Sequence, residues 1–205
     1  MTTQEKNGIT EGVIWKQLLI FFFPILVGSF FQQLYNTVDS VIVGQFVGKE
    51  ALSSVGGSAG QIISLVVGFF TGVSTGATVI ISQYFGAGKK EEIEESLHTA
   101  YAFALVGGLV LGIAGIVFAP QMLLWMNTPE ELIAESVLYV RVYFSGLIFI
   151  FIYNMGAAIL RAVGDSKRPL YYLIVCSVVN IILDLLLILV IPLGVLGAAI
   201  ATLIA

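Results

Sequence analysis

Residues 14–43 read IWKQLLIFFFPILVGSFFQQLYNTVDSVIV, a segment that is apolar in its first half and more polar in its second. No charged residue interrupts it between Lys16 and Asp39. An uncharged run of about 20 residues is long enough to cross the hydrocarbon core of a bilayer as one helix. The segment therefore predicts a membrane-spanning first helix that carries a carboxylate near its end.

The composition of the whole chain agrees with that prediction. Of its 205 residues, 58% are hydrophobic and only 11% are charged, whereas about a quarter of the residues in a typical soluble domain are charged. The formal charge of −4, with no basic patch, argues against nucleic acid as a partner. We expect an all-α, polytopic membrane bundle whose first partner is the lipid bilayer.

The apolar runs predict five complete spans and a truncated sixth, within one domain that covers residues 1–205. Thr10 is the expected N-cap of the first helix. The expected helices cover about 10–47, 51–84, 96–118, 131–160 and 169–191, and a sixth begins near Val195 and is cut off at Ala205.

The basic residues predict the orientation of these spans. Cytoplasmic loops of membrane proteins carry an excess of Lys and Arg. A single crossing between Lys49 and Lys89 leaves Lys49 alone in an outer loop and groups the remaining basic loop residues on the other side: Lys6, Lys16, Lys89, Lys90, Arg161, Lys167 and Arg168. We therefore expect a multi-pass protein of the cytoplasmic membrane with a cytoplasmic N-terminus.

Two helices carry glycines at a spacing that places them on one face. Gly68, Gly72 and Gly76 recur every four residues, and Gly108 and Gly112 do the same in the next helix. Small residues at this spacing let helix backbones approach closely in lipid. Both faces are expected to be packing surfaces.

Asp39 and Asp184 are the acids that the predicted spans place deepest in the membrane. An ionised carboxylate in hydrocarbon costs several kcal/mol, so such a residue faces a cavity, binds a cation or takes up a proton. The two aspartates are thus the first candidates for a functional site. The alternatives are a structural hydrogen-bond cluster and, for Asp39, a position nearer the outer interface.

Polar neighbours strengthen that interpretation. Gln32, either Tyr35 or Asn36, and Asp39 follow helical spacing in the first helix, and Asn180 lies one turn before Asp184 in the fifth. Of the adjacent pair, Asn36 is expected on the face of Asp39, near the site or its cavity. If the two faces meet, the carboxylates and the amide oxygen of Asn180 could hold Na⁺, or the carboxylates could share a proton. Either arrangement would respond to an ion gradient.

Other residues give weaker signals. Pro24 removes a backbone hydrogen bond and can kink the first helix, either statically or as a hinge. Tyr139, from composition alone, is typical of the aromatic belt at a membrane interface. No nucleophile elbow, phosphate loop or metal-ligand spacing occurs, so we expect a protein that is not an enzyme and that has no cofactor other than a coupling ion.

Several motifs resemble the multidrug and toxic compound extrusion (MATE) transporters, especially their bacterial DNA-damage-inducible-F-like branch. The resemblance covers the whole chain. It depends on four segments taken together: Leu-Tyr-Asn-Thr-Val-Asp at 34–39, Gln-Tyr-Phe-Gly-Ala-Gly at 83–88, Leu-Arg-Ala-Val-Gly-Asp at 160–165, and Asn180 with Asp184.

The resemblance implies more than the residues alone. Members of this family have two six-helix lobes and exchange H⁺ or Na⁺ for exported cationic or amphipathic compounds, and this chain is similar to the N-terminal lobe, without the second. The resemblance makes Asp39, Asn180, Asp184 and Thr202 the cation-binding group. It places Gln32 and Tyr139 near that group and makes Pro24 the bending point.

The expected function is therefore cation-coupled antiport of drug-like compounds, represented by the N-terminal half of the transporter. One alternative is a lipid-linked precursor flippase of the wider superfamily, which would be expected to carry cationic side chains in its cavity. A second alternative is a membrane scaffold subunit that does not transport.

Overall fold

The computed structural model describes residues 13–205, and every regular element among them is helical. Eight α-helices and two short π-helical segments follow one another. In chain order they are α1 (Ile14–Ile42), a first π-turn (Val43–Val47), α2 (Lys49–Gly56), α3 (Ser58–Gly86), α4 (Lys90–Trp125), α5 (Glu130–Ser145), α6 (Leu147–Ala162), α7 (Lys167–Asp184), a second π-turn (Leu185–Val190) and α8 (Val195–Ile204).

The helices have the length and composition of a membrane bundle, as the sequence predicts. Within residues 13–205, four helical stretches are long and apolar enough to cross a bilayer: Ile14–Val47, Lys49–Gly86, Lys90–Trp125 and Lys167–Val190. A fifth span follows if the bent pair α5 and α6 is counted as one. The short apolar helix α8 occupies the place of the predicted sixth, and the predicted N-cap Thr10 lies outside the described residues.

The third predicted helix is longer than the sequence pattern indicated. It begins at Lys90 instead of Ser96, because its acidic residues form the first turns and do not lie in a loop. Negative side chains are favourable beside the partial positive charge of a helix N-terminus. The same helix continues through Pro120 to Trp125 and does not end at Phe118.

The predicted fourth span is broken. Helices α5 and α6 meet at Gly146 with a bend of 52°. The glycine face of α4 explains the position of the break: a Cβ atom on Gly112 would lie 3.0 Å from the carbonyl oxygen of Phe144, and one on Gly108 would lie 2.7 Å from the Cα of Ile148. The bend lets both halves of the span follow the same α4 surface.

The two glycine faces differ. The α4 face is packed as expected, and it extends to Gly115, where a Cβ atom would collide with the Phe144 ring. The expectation for α3 was wrong within residues 13–205, because nothing lies within 4 Å of a Cβ placed on Gly68, Gly72 or Gly76.

Helix packing divides the bundle into two sides. On one side α3, α4, α5 and α6 pack together, with the buried rings of Phe70 and Phe151 stacked at a centroid distance of 3.6 Å. On the other side α1 lies along α7. That second pairing brings the two helices with intramembrane carboxylates together.

Candidate functional site

Both intramembrane carboxylates lie where an α-helix gives way to a π-turn. Asp39 lies one turn before the first π-turn, and Asp184 is the last residue of α7, directly before the second. The two π-turns also contact each other. Single π-turns inside longer helices occur frequently at functional sites.

The carboxyl groups of Asp39 and Asp184 are close enough to interact with each other. As carboxylates, both groups can only accept hydrogen bonds. Asp39 Oδ1 and both carboxylate oxygens of Asp184 accordingly have no hydrogen-bond partner within residues 13–205. A single proton between the two groups would supply the missing donor.

Asn180 adds a third unpartnered group. Its side chain is 2% exposed and its Oδ1 also has no hydrogen-bond partner in the described part of the chain. Asp184, one turn further along α7, is 0% exposed. We call the side-chain oxygens of Asp39, Asn180 and Asp184 the oxygen cluster.

The composition of the oxygen cluster decides what it can bind. A buried acceptor without a donor costs about 1–3 kcal/mol, and more if it is charged. Carboxylate and amide oxygens are ligands for hard cations, so a proton or a cation such as Na⁺ would remove that cost. No three His, Cys, Asp or Glu side chains come together within residues 13–205, and a cluster of two acids and an amide lacks the nitrogen and sulfur ligands that transition metals prefer.

A cavity of about 510 Å³ reaches the oxygen cluster through Asn180. Thr202 and Gln32 line the cavity, as do Tyr35, Tyr143 and Tyr153. Thr202 donates its hydroxyl hydrogen to the Ala198 carbonyl at 3.0 Å, which leaves the lone pairs of its oxygen for a ligand. Asp39 and Asp184 are not among the residues that line this cavity.

The positions of Asn36 and Tyr139 differ from those that the residues alone predicted. Asn36, which we expected near the site, is exposed and does not line the cavity, whereas its neighbour Tyr35 does. The expectation for Asn36 was therefore wrong. Tyr139 is 6% exposed and close enough to interact electrostatically with both aspartates. The aromatic-belt interpretation of Tyr139 is therefore wrong.

Pro24 is buried inside α1, which continues unbroken from Ile14 to Ile42. The structure thus places the proline within one helix, about four turns before Asp39.

Sequence reasoning missed the two π-turns and the aromatic wall of the cavity. The second π-turn has the sequence LLLILV, which carries no signal for a widened turn. Tyr143 could have been found, because it follows Tyr139 by one helical turn and the two ring centroids are 6.4 Å apart.

Known proteins are similar to this chain over most or all of its length. The family model described as MatE matches residues 24–186. The "Probable multidrug resistance protein YoeA" of Bacillus subtilis is 33% identical over 208 residues, which cover 100% of this chain and 44% of that protein.

Two solved structures are also similar. "Crystal structure of MATE in the straight conformation" has a TM-score of 0.91, and "Crystal structure of MATE in the bent conformation" has a TM-score of 0.90. Each is 27% identical to this chain and is matched over 99% of this chain and 45% of its own. The chain thus spans less than half the length of these relatives.

Proposed function

Since the chain belongs to the MATE family, we propose that it acts as one lobe of a cation-coupled antiporter that exports cationic or amphipathic compounds. The single observation that carries the proposal is the oxygen cluster. Buried oxygens without hydrogen-bond donors destabilise a membrane protein, and a bound proton or cation would remove that destabilisation. The coupling ion is H⁺ or Na⁺.

The proposed ion site consists of Asp39, Asn180 and Asp184, with Thr202 as a neutral oxygen ligand. When the site is filled, the charge of the ion offsets that of the carboxylates, and α1 and α7 can remain close together. When it is empty, two carboxylates repel each other at short range. Ion occupancy would therefore bias how α1 lies against α7, and the two π-turns supply backbone that can rearrange there.

Pro24 is the proposed hinge. A proline lacks the backbone N–H that would otherwise hold its turn of helix together, so α1 can bend there without losing a hydrogen bond. Two of the similar solved structures are described as straight and as bent conformations, so a structural change of some kind occurs among similar proteins. Movement of α1 would change the cavity, because Gln32 and Tyr35 form part of its wall.

The cavity supports cationic or amphipathic substrates. Tyr35, Tyr143 and Tyr153 present aromatic faces, which attract organic cations and also contact apolar groups. We propose that a second six-helix lobe completes the binding cleft, because the chain matches less than half of each relative. The distribution of the basic residues supports a protein of the plasma membrane whose N-terminus lies on the cytoplasmic side.

The flippase alternative is less well supported. It calls for cationic side chains in the substrate cavity, and the residues that line the 510 Å³ cavity include no Lys or Arg. Several relatives are named as multidrug resistance proteins, and one similar structure as a multidrug resistance MATE family transporter. These names favour a transporter over a scaffold or an enzyme.

Dye transport by the complete gene product in proteoliposomes tests the proposal. A fluorescent organic cation is loaded, a proton or Na⁺ gradient is imposed, and its gradient-driven export is compared for wild type, Asp39→Asn and Asp184→Asn. Each variant keeps the size of the side chain and removes its charge, so each is expected to lose coupled transport. Glu131→Gln removes one exposed acid outside the cluster and should transport normally.

Normal gradient-driven export by both aspartate variants would overturn the proposed mechanism. Export that is lost equally in Glu131→Gln would also count against it, because the effect would then come from net charge and not from the oxygen cluster.

A further inference from the structure

Arg161 differs from the other two arginines of the chain. Arg141 donates from Nε to the Ile116 carbonyl at 3.2 Å, and Arg168 pairs with Asp165 at 3.1 Å. Arg161 is half-buried at the end of α6, and its guanidinium has no hydrogen bond or ion pair with any residue in 13–205. A half-buried cationic side chain in a membrane protein is costly unless an anion pairs with it.

Two cavities meet at Arg161. One of about 340 Å³ and one of about 310 Å³ share Phe21 of α1, Ser82 of α3, and Arg161 and Ala162 of α6. Together they form a groove between these three helices, which we call the Arg161 groove. Among residues 13–205, none that lines the groove is acidic, so no described residue brings a carboxylate to the guanidinium.

The lining of the Arg161 groove is apolar on one side and rich in hydroxyls on the other. Ile14, Leu18, Phe21 and Ile25 of α1 contribute aliphatic and aromatic surface. The opposite side includes five hydroxyls of α3, of which four donate to carbonyls of their own helix: Thr71, Thr75, Thr78 and Ser82.

Ser74 is the fifth of these hydroxyls. It is 3% exposed, and its Oγ has no hydrogen-bond partner within residues 13–205. The Oγ atom itself is enclosed, so this hydroxyl lies beneath the lining of the groove and does not reach a ligand in it. The unpaired donors that the groove offers are therefore those of the Arg161 guanidinium.

The groove opens where α1 begins and where α3 and α6 end, because Ile14, Gly86 and Gly164 line it. Arg161 is the one charged residue among its described lining residues. Cationic pockets between helices near a membrane surface bind the headgroups of anionic lipids.

We propose that the Arg161 groove binds an anionic phospholipid of the adjacent leaflet. The guanidinium holds the phosphate through charge-assisted hydrogen bonds, which suit its planar fork of donors. The apolar side of α1 covers an acyl chain. The apolar lining favours a lipid over free phosphate. This proposal does not depend on ion coupling at the oxygen cluster.

Lipid retention by the complete gene product tests the proposal. The purified protein is titrated with phosphatidylglycerol or with phosphatidylcholine of the same acyl chains, and bound lipid is counted by native mass spectrometry. Arg161→Gln should weaken phosphatidylglycerol binding about tenfold or more, since a charge-assisted phosphate contact is lost. Lys167→Gln removes an equal charge at the same end without lining the groove and should have little effect.

A second, steric variant tests the groove independently, in case Arg161→Gln does not fold. Ser82→Trp fills the point that both cavities share and keeps the arginine, so it should also lower phosphatidylglycerol binding while thermal unfolding remains cooperative. The proposal would be overturned if a folded variant, either Arg161→Gln or Ser82→Trp, bound phosphatidylglycerol as tightly as wild type does. Displacement of the lipid by inorganic phosphate at equal concentration would also overturn it, in favour of a soluble anion.

Discussion

The glycine face of α4 and the oxygen cluster between α1 and α7 use the interior of the bundle in opposite ways. At the glycine face, backbone meets side chain so closely that a Cβ atom on Gly115 has no room. At the oxygen cluster, buried polar atoms of Asp39, Asn180 and Asp184 are left without donors. Close packing fixes the first region, whereas the second is complete only with a proton or an ion. A substitution at the glycine face should therefore lower the stability of the fold. A substitution at the oxygen cluster should instead impair ion-coupled export.

The largest expected effect on stability is at the glycine face. Gly115→Leu would push side-chain atoms into the Phe144 ring, and overpacking of this kind costs about 3 kcal/mol or more. Gly72→Leu adds the same atoms on α3 where nothing lies within 4 Å. Thermal unfolding in detergent should show a large loss for the first variant and a small change for the second. Equal losses would contradict the assignment of the α4 face as the packed one.

A smaller effect is expected where packing approaches the oxygen cluster. A Cβ on Gly197 would lie 2.9 Å from the carbonyl oxygen of Leu187, inside the second π-turn. Gly197→Ala should cost about 1–2 kcal/mol and should also lower coupled dye export, because the π-turn begins directly after Asp184. Gly68→Ala, which meets open space, is the matched control. If Gly197→Ala loses stability but exports the dye normally, the second π-turn does not contribute to the ion site.

The smallest effect on stability is expected at the oxygen cluster itself. Asp184→Asn removes a buried charge that has no partner in the described part of the chain, and an amide can donate to Asp39. We expect unfolding to be unchanged or shifted toward higher stability by about 1 kcal/mol, although export should be lost. A loss of stability as large as that of Gly115→Leu would mean that Asp184 is a structural residue.

Much of the fold follows from hydropathy. Long uncharged runs predict the helices, and the cost of burying a carboxylate is enough to single out Asp39 and Asp184 from the other acids of the chain. The first helix together with its π-turn ends at Val47, as expected. The packed face at Gly108 and Gly112 also follows from small-residue spacing.

The remaining features depend on contacts that the sequence does not display. Helical spacing could not separate Tyr35 from Asn36, because adjacent residues differ by only about 100° around a helix. The break at Gly146 lies against the glycine face of α4, and the sequence of the second π-turn has no feature that marks a widened turn. The open face of α3 shows that the same glycine spacing does not say whether a partner is present.

Direct measurement of ion uptake tests the central claim that Asp39 and Asp184 form one site. Proton uptake by the complete gene product can be followed by infrared absorption of protonated carboxyl groups, and sodium uptake by equilibrium binding of radioactive Na⁺. We predict that wild type takes up a proton or a sodium ion at this site and that Asp39→Asn and Asp184→Asn each lose that uptake, while Glu131→Gln keeps it. Identical proton and sodium uptake by wild type and by both aspartate variants would contradict the claim.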